Sequence, residues 1–140
     1  MPVRVINAQR EVAVPVKAME KLAGCAVNRL KIGKAGLFSI TFVSSSRMRR
    51  LNSQFLRHDW VTDVLSFRYN GEAVVGEVLI APREAKRYAK RNSLSYRQEL
   101  SRYVVHGLLH WMGHQDRTVR QKQRMRRLEE ELLKRCGVTG

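Results

Sequence analysis

The stretch from His106 to Asp116, HGLLHWMGHQD, holds three of the chain's four histidines. On a helix, His106 and His110 stand one turn apart on the same face, a spacing that lets two imidazole nitrogens reach one ion. Gly113 is suited to end that helix in a left-handed conformation. The chain then turns, so Asp116 can swing back over the face that bears the histidines. Two imidazoles and one carboxylate make an open zinc set, with a fourth position left for water. His114 is the rival third ligand, because it follows His110 by four. A third ligand on the same straight stripe would sit a full turn from the ion, and Gly113 interrupts the helix, so Asp116 is the expected one.

A second reading needs no metal. Val104, Val105, Leu108, Leu109, Trp111 and Met112 make this a buried helix, in which histidines can simply hydrogen-bond to backbone. Two half-buried imidazoles facing each other both lose hydration, and a metal offsets that cost better than mutual hydrogen bonding. Structural zinc sites usually have four protein ligands, often cysteines. Cys25 and Cys136 stand alone with no CxxC spacing, and in a reducing compartment they read as a small core residue and a tail residue. The expected site is therefore open, and an open site is a chemical one. It is not the protease signature H-E-x-x-H, whose general base follows the first histidine; here that position is Gly107, which transfers no proton.

Working outward, Ser95 with Gln98 reads as a capping box at the start of the histidine helix. Pro82 opens a helix rich in Lys and Arg, and Pro15 suits a first helical position ahead of Val16, Met19, Leu22, Ala23, Ala26, Val27 and Leu30 at helical spacing. Ser44 to Ser46 can cap a short basic helix holding Arg47, Arg49 and Arg50. A last helix from about Thr118 buries Met125, Leu128 and Leu132 on one stripe. Val3 begins a short strand, and Leu37 to Val43 alternates as a half-buried one. Leu65, Phe67 and Tyr69 alternate ahead of an Asn70-Gly71 turn. Val74 to Ile80 is apolar enough for a strand covered on both faces. Thr62-Asp63 reads as a turn in which Asp63 bonds its own backbone. No repeat or linker appears, so residues 1–140 are expected to form one domain, an α+β fold with a small mixed sheet and packed helices.

Lys and Arg number 27 against 12 acids, a formal charge of +15. So large an excess gathers polyanions and points to a nucleic-acid or ribosomal partner. No helix pairs a basic face with bulky exposed apolar residues, and no run of eighteen apolar residues occurs, so no membrane partner is expected. The first residues, MPVRVINAQREV, lack the charged-then-apolar order of a secretory signal, which leads us to expect a cytosolic protein.

Three segments together resemble one family. HGLLHWMGHQD resembles the H-G-x-L-H-x-x-G-Y-D-H signature of the YbeY endoribonucleases. LNSQFLRHDWVTDVLSF, Leu51 to Phe67, is similar to that family's LN-x-x-YR-x-KD-x-PTDVLSF segment, and GEVLIAP from Gly76 to its GD-I-x-I strand. The resemblance implies a bacterial, cytosolic, metal-dependent RNase with a zincin-like fold and a zinc ion. It also implies action on rRNA, particularly at the 3′ end of small-subunit RNA, and in ribosome quality control. Asp116 stands where the family's third ligand is a histidine, with His114 and Gln115 in place of the usual Tyr and Asp. The cleft arginine falls on Leu56, with Arg57 one residue later; His58 and Val61 replace a Lys and a Pro.

The resulting expectation is a monomeric endoribonuclease of rRNA and ribosomal particles. It holds zinc on His106, His110 and Asp116, and uses no dinucleotide or other organic cofactor. Arg57 is the candidate for stabilising charge on the transferring phosphate, with an ordinary loop arginine as the alternative. The competing function is a non-catalytic ribosome-assembly or RNA-binding protein whose metal pins a loop.

Overall fold

A computed structural model describes residues 2–32, 36–55, 63–69 and 73–138 of the chain. Along these run β1 (Val3–Asn7), α1 (Val16–Arg29), β2 (Leu37–Phe42), α2 (Ser45–Phe55), β3 (Val64–Arg68), β4 (Val74–Ile80), α3 (Pro82–Arg91), α4 (Tyr96–Trp111) and α5 (Val119–Arg135). The strands form one mixed sheet in the order β1-β2-β4-β3. β2 lies parallel to both β1 and β4, and β3 closes the edge antiparallel to β4. This is the α+β fold expected from the pattern. The Asn70-Gly71 turn lies outside the described residues.

Helices cover both faces of the sheet. Phe38, Ile40, Phe42, Val78 and Ile80 pack with α1 and α4 into the main core. On the opposite face Leu79 and Ala81 meet Met48 of α2, with Leu65 and Phe67 at the margin. β2 is consequently not half-buried as its alternation suggested. Ser39 is 1% and Thr41 7% exposed, because α2 covers the face that polar alternation assigns to water. The apolar run of β4 was the better guide to a central position.

Local capping sets the ends of the helices that matter most. The Ser95 hydroxyl accepts from the Gln98 amide at the start of α4. Thr118 and Gln121 complete a reciprocal capping box on α5, an arrangement of about 1 kcal/mol that fixes where this helix begins. The Ser44 hydroxyl accepts from the Arg47 amide at the start of α2. Pro82 opens α3 as expected, whereas Pro15 is the residue before the first helical one in α1.

Two expectations are overturned in the packing of the helices. Cys25 and Cys136 are not separate thiols: they form a disulfide across 111 residues of sequence, with Cα atoms 5.9 Å apart. The end of α5 comes back against α1, and sequence spacing alone gives no sign of such closure. On α5 the buried residues are Met125, Glu129, Leu132 and Leu133; Leu128 is only half-buried. The stripe is rotated relative to the one read from apolar positions because a carboxylate, Glu129, belongs to it.

Candidate metal centre and cleft

Helix α4 is buried on almost every side, since it lies between the sheet, α1, α3 and α5. Its contact with the sheet is close at one residue. A Cβ added to Gly107 would stand 2.4 Å from Val78 Cγ1 and 3.1 Å from Val64 Cγ1, so only glycine allows this approach. The Gly107 carbonyl also accepts from the Ser66 hydroxyl on β3 at 2.9 Å. Close docking at Gly107 leaves the adjacent flank of α4, with His106 and His110, facing a cleft of about 500 Å³ bounded by α5 and the start of β3.

The helix ends as its glycine suggested. Gly113 has φ 106°, its amide donates to the His110 carbonyl, and the His114 amide donates to the Leu109 carbonyl. This pair of bonds is a Schellman motif, and it reverses the chain immediately after the second histidine. Asp116 then returns over the face of α4. His114 is carried away, into a separate depression beside Arg124 and Met125.

The donor geometry of the three residues can be compared with a metal polyhedron. His106 Nε2 lies 3.5 Å and His110 Nε2 3.4 Å from the same Asp116 oxygen, Oδ2. Around a tetrahedral zinc with bonds near 2.1 Å, donor atoms stand about 3.4 Å apart. One donor atom from each residue lies within 4.8 Å of the others, and all three residues are half-buried. Nitrogen and carboxylate donors at these separations fit a divalent ion such as zinc with an open side toward the cleft. His106 and His110 face each other edge to face, ring centroids 4.5 Å apart.

A residue that sequence reasoning missed completes the arrangement. Glu129 of α5 is 3% exposed, and its Oε2 lies 2.5 Å from His106 Nδ1. A carboxylate at Nδ1 holds the proton there and leaves the Nε2 lone pair facing His110 and Asp116. The available signal was an acid at i+4 from Met125 and i−3 from Leu132, inside an apolar stripe.

Asp63 stands beside this group; the Thr62 half of the expected turn lies outside the described residues. Asp63 Oδ2 accepts from the Tyr103 hydroxyl at 3.0 Å, tying the start of β3 to α4. The Asp63 carboxyl is pushed above its ordinary value. Burial at the cleft is the main cause, with Glu84 adding to it, against the Tyr103 hydroxyl and the positive fields of His106 and Arg91. Tyr103 is raised as well, first by burial and then by Asp63. Arg57, Leu56, His58, Val61 and Thr62 lie outside the described residues.

Comparison with known proteins gives the family and the fold of the chain. Residues 4–137 match the family model described as Endoribonuclease YbeY. The chain is 32% identical over 139 residues to the Endoribonuclease YbeY of Chlorobium phaeovibrioides, covering 99% of this chain and 93% of that protein. It is 34% identical over 151 residues to that of Pelotomaculum thermopropionicum, covering 99% of each. The solution structure of TM1509 from Thermotoga maritima is similar with a TM-score of 0.63 at 25% identity, over 94% of this chain and 89% of that one.

Proposed function

The chain belongs to the YbeY family of endoribonucleases, and from that premise we propose that it cuts unpaired ribosomal RNA with a divalent metal ion, zinc, held by His106, His110 and Asp116. The observation that carries the metal reading is the pair of 3.4 and 3.5 Å separations from one Asp116 oxygen to the two histidine nitrogens. A bound ion supplies Lewis-acid polarisation of the phosphate to be cut. Glu129 fixes the tautomer and direction of His106. Asp63, held by Tyr103, stands at the cleft with a raised pKa and so can exchange a proton nearer neutrality than an ordinary carboxyl. Lys122 and Arg126 line the mouth, and Arg120, Arg124 and Arg127 of the same helix are exposed, where they hold the RNA backbone by counterion release. Tyr88, 36% exposed at the rim, offers a ring on which a splayed base can stack.

Peptide hydrolysis has no support here. Position 107 faces Val78 and Val64, so a general-base glutamate has no room there. The family resemblance directs the choice of substrate to the 3′ end of small-subunit rRNA and the setting to ribosome maturation and quality control in the cytoplasm. Neither Cys25 nor Cys136 lines the cleft, so the chemistry places no demand on their oxidation state.

The test is cleavage by purified, zinc-loaded protein of a fragment spanning that 3′ end, against an unrelated single strand of equal length. Cleavage should stop with chelator and in His110→Ala, while His110→Ala still binds RNA. If no metal-dependent cleavage occurs and binding is intact, the non-catalytic assembly reading takes its place. The product ends report the nucleophile, since attack by the ribose hydroxyl alone leaves a 2′,3′-cyclic phosphate.

A further inference from the structure

The cleft wall of α4 carries a third functional side chain. From Glu99 to Trp111 every residue of this helix is buried except Arg102, His106 and His110. These are spaced by four, so they form one stripe, with Arg102 about 6 Å along the axis from His106. The nearest anion to Arg102 is Glu99, whose Oε1 lies 3.7 Å from Nε, beyond hydrogen-bonding distance. Arg102 Nε and Nη1 are both buried without a hydrogen-bond partner among the described residues. Two desolvated guanidinium N–H groups without acceptors are costly. Oxygens of an anion entering the cleft supply acceptors to such a guanidinium, whose planar fork matches those of a phosphate.

We propose that Arg102 is a phosphate-binding residue of the cleft, taking non-bridging oxygens of an RNA backbone phosphate beside the candidate metal site. This rests on the RNA-cleaving reading above. Glu99, 4% exposed, balances the charge of the guanidinium when no RNA is present. At 3.7 Å it takes no hydrogen bond from Nε, so neither buried donor is spent on it. Lys122 and Arg126 reach the same cleft from α5 as exposed cations; Arg102 differs in being held on a rigid, buried helix.

The experiment measures binding of zinc-loaded protein to a short single-stranded RNA at several salt concentrations, under conditions where the RNA stays intact, with cleavage followed in parallel. Each phosphate contact on a single strand contributes about 0.7 to the slope of log affinity against log salt. Removing Arg102 alone would leave Glu99 buried and unpaired, so the test variant is Glu99→Gln/Arg102→Gln. It should lower the slope by about 0.7 and reduce kcat/KM on the order of 100-fold, with zinc affinity unchanged. Glu99→Gln alone should keep both slope and cleavage. Arg102→Lys should keep the slope but lose part of the cleavage, since an ammonium cannot present the fork. The proposal is overturned if the double variant matches wild type in slope and cleavage. It is equally overturned if Glu99→Gln is as damaging as the double variant, the mark of an ion pair that only supports the helix. Wild-type protein that binds RNA without cutting it would refute the nuclease reading, and the slope would still decide whether Arg102 holds a phosphate.

Discussion

Replacing Glu129 tests whether the site is built to hold a metal or is only a cluster of polar side chains. The carboxylate is 3% exposed and 2.5 Å from His106 Nδ1, so water competes little for this bond. In Glu129→Gln the amide oxygen still accepts from Nδ1–H, but the negative charge that strengthens His106 as a donor is lost. In Glu129→Leu the acceptor goes as well, and the ring can place its proton on Nε2, the atom that faces Asp116. Loss of a carboxylate behind a ligating histidine typically weakens metal binding about 10–100-fold, or about 1.4–2.7 kcal/mol. The two variants should span that range, with Glu129→Gln near tenfold and Glu129→Leu near a hundredfold. Zinc affinity is measured by competition with a chromophoric chelator, on apoprotein whose circular dichroism matches wild type. Glu130→Gln, at an exposed neighbouring position, serves as the control. If both Glu129 variants bind zinc as tightly as wild type, the orientation assigned to His106 is wrong.

Three further outcomes are expected. Asp116→Ala should release the metal and Asp116→His restore it, while His114→Ala leaves occupancy nearly unchanged by metal analysis; loss of metal in His114→Ala alone would reverse the ligand assignment. Gly107→Ala should destabilise the fold by about 1–3 kcal/mol in denaturant titrations, because its Cβ has to push Val78 away from 2.4 Å; a neutral effect would mean α4 docks less closely on β4. The Asp63 carboxyl is raised above its ordinary value of 3.8, so the folded state holds that proton more tightly than the unfolded one. The stability this contributes is present in acid and is lost as pH rises from the ordinary value through the raised one. Asp63→Asn, which cannot ionise, avoids that loss, so its melting temperature should gain on wild type across that interval and then run parallel. A difference independent of pH would show that Asp63 ionises as freely in the folded chain as in the unfolded.

The sequence by itself determined what depends on neighbours a few residues apart. The i, i+4 histidines, the glycine that breaks their helix, the caps at Ser95 and Thr118 and the apolar run of β4 are local rules of backbone geometry. They placed His106 and His110 on one helix face and allowed Asp116 to return. Only tertiary structure could decide which side chains from other elements meet that face. Glu129 reaches His106 across 23 residues, Asp63 reaches Tyr103 across 40, and Cys25 closes on Cys136 across 111. None of these pairings has a periodicity to read, because each follows from how whole helices pack on the sheet. Burial is decided in the same way. Ser39 and Thr41 look like solvent positions until α2 covers them, and Arg102 looks like a surface arginine until every other flank of α4 is packed. What remains open after that packing is a single stripe of one helix, and the chemistry of the site follows from what stands on it.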